Sequence, residues 1–117
     1  MTARPNTDMS LKQWTVVCPL DDIVPNSGVC ALIGGQQVAV FRTDDNRVYA
    51  LANHDPFSNA NVLSRGIVGD IKGELVVASP VYKQHFSLAS GQCIEDDAVK
   101  VDAYTVRINK GIVEVET

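Results

Sequence analysis

The chain has 117 residues, 45% hydrophobic and 21% charged, with 8 Gly and 5 Pro, an ordinary globular composition that excludes disordered, collagen-like and coiled-coil chains. Its formal net charge is −4 and its Lys and Arg stand singly. Nucleic acid is therefore excluded as a partner, because binding it rests on clustered cations that release counterions from phosphate. Apolar stretches such as 29–35 fall far short of the ~20 residues that cross a bilayer, and no membrane span is expected. Residues 1–13 lack the apolar core of a secretory signal, so export is not expected either. Cys18, Cys30 and Cys93 form no C-x-x-C pair and leave one thiol over, which suits a reducing cytoplasm, and all three are expected to be buried small hydrophobes. A single domain over 1–117 is expected, with 1–12 a flexible N-terminal extension.

The apolar pattern has period two in short segments, punctuated every eight to twelve residues by turn chemistry, which points to an all-β sandwich or small barrel. Trp14 to Cys18 reads as a first strand with Trp14 as a core anchor. A turn-rich connection, 19–28, leads into a strand over Val29 to Ile33. Gly34-Gly35 then suits a tight hairpin, delivering the chain into Gln37 to Phe41. A turn at Thr43-Asp44-Asp45-Asn46 leads to Arg47 to Leu51, completing a three-stranded meander.

From Asn53 to Gly66 the alternation stops, and Asn, Asp, Pro and Ser accumulate in a loop long enough to be unusual in a compact domain. A helical turn is expected around Asn59 to Ser64. A hairpin follows, Ile67 to Asp70 and Glu74 to Ala78 about Lys72-Gly73, and then a second loop over Ser79 to Gln84. Strands are expected at His85 to Leu88 and Gln92 to Ile94, separated by Ser90-Gly91. Glu95-Asp96-Asp97 reads as a solvated turn. The last hairpin alternates Tyr104, Val106 and Ile108 with polar residues, turns at Asn109-Lys110-Gly111 and returns through Val113 and Val115.

The two uneven loops, each following a strand and each holding a proline, are where function is expected to sit. The stretches RVYALANHDPFSNANVLSRG (47–66) and GELVVASPVYKQHFSLASGQC (73–93) resemble the two cluster-binding loops of Rieske iron-sulfur domains, which carry C-P-H and C-P-x-H-G-x-x-F. The resemblance implies an antiparallel β-sandwich or small barrel with the two loops at one end. Asp55 and Ser79 then stand where that pattern has Cys, Phe57 and Tyr82 where it has His, and Phe86 and Gly91 match framework positions. A phenyl ring donates nothing, and the remaining oxygens are hard donors ill-suited to an iron-sulfide core. No cofactor or metal is therefore expected in this chain. His54 and His85 are read as solvated or locally hydrogen-bonded.

The phrases D-P-F (55–57), V-L-S-R-G (62–66), V-A-S-P (77–80) and K-Q-H-F (83–86) occur in order, and the chain is similar from about Trp14 to Glu116 to the small-subunit family of cytoplasmic NAD(P)H-dependent nitrite reductases. That resemblance implies a large-subunit partner carrying FAD, an iron-sulfur cluster and sirohaem, which reduces nitrite to ammonium with NADH or NADPH as donor. The chain itself would be a non-redox accessory subunit without an active site. Phe57 and Tyr82 are expected to fill the space of the lost cluster as an aromatic plug, and Asp55 and Ser79 to cap backbone amides. Pro56, Arg65, Pro80 and Lys83 are expected to form the patch that meets the partner. A second reading is a ferredoxin-like electron carrier of Rieske type with non-standard ligands. A third, a hydrolase using Cys93 with His85 or His54, is opposed by the acidic run 95–97, which raises a thiol pKa.

Overall fold

The computed structural model describes residues 13–116, so the extension expected over 1–12 lies outside the described residues. Among them run twelve strands: β1 (Trp14–Pro19), β2 (Ser27–Ile33), β3 (Gln36–Arg42), β4 (Val48–Ala52), β5 (His54–Asp55), β6 (Ala60–Asn61), β7 (Ile67–Ile71), β8 (Glu74–Ala78), β9 (His85–Ser87), β10 (Ala103–Tyr104), β11 (Val106–Asn109) and β12 (Ile112–Glu116). Single 3-10 turns follow β1 at Leu20–Asp22 and β6 at Leu63–Arg65. Every strand pairing is antiparallel, and the architecture is the all-β antiparallel one expected. No described helix is long and apolar enough to cross a membrane.

The meander forms as expected, with Cys30 opposite Ala39 and Ala39 opposite Leu51, and β10 extends it into the order β10-β4-β3-β2. Its central strand β3 carries the apolar run Val38-Ala39-Val40-Phe41, buried at every position, since a strand covered on both faces needs no polar side. Val38 and Val40 join Ala50, Ile23, Val113 and Val115 in one core. Ala39 and Phe41 point the other way and join Leu51, Leu63, Val77, Phe86, Leu88 and Cys93 in a second. The first core glues the meander to the sheet β1-β12-β11, and the second glues it to the sheet β7-β8-β9, which carries the second loop. Each large apolar side chain so enclosed contributes roughly 1.5–3 kcal/mol, so both loops grow from firmly held walls.

Several expectations are corrected by packing. Tyr104 and Val106 do not share a strand: Tyr104 pairs with Ala50 in the meander, while Val106 pairs with Val115 in the other sheet. Gln92 to Ile94 forms only isolated bridges, Phe86 with Cys93 and Gln92 with Lys100. The helical turn begins at Leu63, because Ala60 and Asn61 pair back onto β5. Trp14 is half-buried rather than a core anchor, with the Arg107 guanidinium carbon 4.0 Å above its ring. Of the three thiols only Cys93 is buried; Cys18 is half-buried and Cys30 is exposed on the outer strand β2.

Candidate functional site

The first loop is closed at its neck by Asn53, whose side chain is almost wholly enclosed. Its Nδ2 donates to Asn61 O and to Gln37 Oε1, each at 3.1 Å, and its Oδ1 accepts from Ser64 N at 2.7 Å. Its backbone also donates to Gln37 O and accepts from Leu63 N. One amide thus ties both ends of the loop to β3. Sequence reading missed this residue, although an Asn at the point where alternation fails is a signal of such local bonding.

Beyond the neck, β5 and β6 carry the tip, and Asp55 lies at its base with no exposed surface. Asp55 Oδ1 accepts from Phe57 N at 2.9 Å, and Oδ2 accepts from Ser58 Oγ at 3.0 Å and from Ser79 Oγ at 2.5 Å. The expected capping by Asp55 is thereby found. Ser79 Oγ lies 3.4 Å from Val81 N, but its main partner is Asp55 itself, so these two residues join loop to loop. Burial alone would raise the Asp55 pKa, but the bonds from Ser79, the Phe57 amide and Ser58 outweigh it and hold the carboxyl below its ordinary value.

Two close approaches set the loops side by side. A Cβ on Gly66 would lie 2.4 Å from Ala78 O, so only glycine lets the end of the first loop rest on the base of the second. Gly91 has φ +80°, and a Cβ there would meet Val101 O at 2.0 Å, which accounts for the framework glycine.

The aromatic plug forms differently from expectation. Phe57 packs on the second core with its ring centroid 6.2 Å from that of Phe86, tilted by 48°. Tyr82 turns outward and is 61% exposed. The partner of Phe57 is therefore the framework Phe86, while Tyr82 is left on the surface with Pro56, Arg65, Pro80 and Lys83, all exposed.

At the foot of the second loop, Glu95 receives His85 N at 2.8 Å and lies 2.6 Å from His85 Nδ1, so this acid belongs to a clamp and not to a merely solvated turn. His54 Nδ1 lies 3.1 Å from Asn61 Oδ1. Both histidines are thus locally bonded. Burial pushes the Cys93 thiol up, with the Glu95 charge adding to it and nearby backbone bonds opposing it. Cys93 is 1% exposed and its thiol donates to Glu95 Oε1 at 3.7 Å, a carboxylate already bonded to His85 whose charge disfavours the thiolate, so the geometry does not support the thiol hydrolase reading.

Comparison with known proteins fits this geometry. The Rieske-like [2Fe-2S] domain family matches residues 13–116. The nitrite reductase (NADH) small subunit of Salmonella typhimurium is 48% identical over 106 residues, covering 90% of this chain and 98% of the relative. The chain belongs to the nitrite reductase small-subunit family of Rieske-like domains. The NMR structure of the Escherichia coli protein NirD superposes with a TM-score of 0.85 at 45% identity, over 92% of this chain and 98% of that one. A nitrite reductase [NAD(P)H] large subunit from Klebsiella oxytoca is 43% identical over 104 residues, which make up 89% of this chain but 11% of that protein.

A cluster of the kind this domain family is named for, on a Rieske scaffold, needs two thiolates and two imidazoles. Here the carboxylate oxygens of Asp55 are occupied by three donors, Ser79 spends its proton on Asp55, Phe57 has no donor atom and Tyr82 faces outward. These residues do not fit the cluster. Among the described residues no group of three or more His, Cys, Asp or Glu gathers in a way that could hold a metal ion.

Proposed function

We infer that this chain is the accessory small subunit of a NAD(P)H-dependent nitrite reductase, acting in the cytoplasm by docking its loop end on the large subunit. It supports the reduction of nitrite to ammonium without an active site or cofactor of its own, while FAD, an iron-sulfur cluster and sirohaem belong to the large subunit. The observation that carries the partnership is the Klebsiella oxytoca relative, in which an equivalent stretch is part of the large-subunit chain itself. A module tethered in that way works at a high effective concentration against its own chain, which supports a separate small chain whose task is done in contact with the same partner.

Support for contact rather than electron transfer comes from the clip. The space between the loops is bridged by a serine-carboxylate hydrogen bond, which braces them as a ligand set would but carries no electron. Pro56, Arg65, Pro80 and Lys83 are then displayed on a rigid end. The test is to express the large subunit with and without this chain and to measure complex formation and nitrite-dependent NADH oxidation. A stable complex with raised oxidation is expected; no complex and unchanged oxidation would overturn the assignment.

A further inference from the structure

The loop end combines exposed cations with exposed apolar side chains. Between Pro56 and Gly69, and again between Leu75 and Ile94, the sequence has no acidic residue, while each stretch carries one cation, Arg65 and Lys83. Of the carboxylates nearest them, Asp55 is buried and already bonded, and Glu95 at the foot of the second loop is held by His85. Among the described residues no ion pair involves Arg65 or Lys83, whereas Arg47 and Arg107 are paired with Asp45 and Glu114. A chain of net charge −4 therefore presents two uncommitted cations at one end.

Three of the seven exposed large apolar side chains among the described residues lie at the same end. Tyr82 is 61% exposed and Val81 45%, and Ile67 on the outer strand β7 is 74% exposed. The β7–β8 register pairs Ile67, the first residue of β7, with Ala78, the last of β8, so Arg65 at the end of the preceding 3-10 turn and Pro80 both lie two residues outside the same end of the sheet. The Asp55–Ser79 bond brings the first loop alongside, and the Ser79 N to Gln84 O bond closes the second at 2.9 Å. The surface is held before any partner arrives, which lowers the entropy cost of binding.

We propose that Tyr82, with Val81 beside it, inserts into an apolar depression of the large catalytic subunit whose rim carries carboxylates facing Arg65 and Lys83. This rests on the reading of the chain as that subunit's partner. The Klebsiella oxytoca relative, whose large-subunit chain contains an equivalent stretch, selects this occupant; a symmetric pairing of this face with a second copy would set Arg65 and Lys83 against like charges, and two cations are too few for nucleic acid. An exposed tyrosine is the kind of anchor that dominates binding energy once water is excluded around it.

The test measures binding of the full-length chain to separately purified large subunit at low and high salt. Tyr82→Ala is expected to weaken binding by at least about tenfold, as loss of an interface anchor does. Arg65→Glu with Lys83→Glu is expected to weaken it by at least about tenfold at low salt and to flatten its salt dependence. Lys110→Glu, in the β11–β12 turn, should leave binding unchanged. All these side chains are exposed, and an unchanged melting midpoint confirms that each variant is folded. If the wild type binds and both loop-end variants bind within about twofold of it, this docking mode is overturned while the partnership stands. If the wild type does not bind at all, the partnership itself is overturned.

Discussion

Ser79 donates to the buried Asp55 carboxylate at 2.5 Å, across 24 residues of sequence, and so fastens the second loop to the first. Removing the hydroxyl leaves Asp55 with Phe57 N and Ser58 as donors, whereas removing the carboxylate strands three donors at once. Ser79→Ala is therefore expected to cost about 1–2 kcal/mol and Asp55→Ala about 2–4. Denaturant midpoints should fall accordingly, and the double variant should lose less than the sum because the two share one bond.

Acid weakens the same clip, and its sign follows from the native pKa of Asp55. Its carboxyl is held below the ordinary 3.8, so its stabilisation is complete above that value and is lost as pH falls through the lower native value. Thermal melts from neutral pH down to about pH 2.5 should show the advantage of the wild type over Asp55→Asn shrinking below about pH 4. An advantage that stays constant through that range would contradict the assigned bonding.

Asn53 holds the neck of the first loop through side-chain donations to Gln37, Asn61 and Cys30, one side-chain acceptance from Ser64 and two backbone bonds. Asn53→Ala leaves the Ser64 amide and the Asn61 carbonyl without that partner, and a loss of about 2–4 kcal/mol is expected. Hydrogen exchange should rise across residues 53–66 before it rises in β3, because the meander is held independently by its two cores.

Gly66→Ala forces a methyl group to within 2.4 Å of Ala78 O, and backbone must move to admit it. Destabilisation of about 2 kcal/mol or more is expected, as for other overpacked sites. The variant should also dock less well than its remaining stability implies, since the shift separates the two loops.

Thiol labelling reads the burial pattern directly. Cys30 is exposed, whereas Cys93 is enclosed and burial raises its pKa, so less thiolate is available there near neutrality. A maleimide or iodoacetamide time course followed by mass spectrometry should label Cys30 first and leave Cys93 unmodified until the chain unfolds.

Most of the fold was legible because its signals are local. Gly34-Gly35, Lys72-Gly73 and Lys110-Gly111 each sit in a hairpin turn with positive φ, and the alternation on either side fixes which strands they join. The break between Tyr104 and Val106 was not legible, because both obey the same alternation and the choice of sheet is tertiary: the Tyr104 hydroxyl donates to Gln36, 68 residues away. At the loops, the resemblance placed Asp55, Phe57, Ser79 and Tyr82 correctly along the chain but carried no information on side-chain direction. Phe57 found Phe86 instead of Tyr82, and Asp55 found Ser79, because each pairing joins segments that meet only once the sheets have assembled. Glu95 was hidden for the same reason: in sequence it looks like one of three surface acids, and its partner His85 lies ten residues upstream.

Iron and acid-labile sulfide determined on the chain purified anaerobically, with a paramagnetic resonance spectrum after reduction, test most directly whether it works by contact. Loops braced by Asp55 and Ser79 predict neither iron nor sulfide in stoichiometric amount and a spectrum without a reduced-cluster signal. Two irons per chain with such a signal would contradict this reading and restore the electron-carrier alternative.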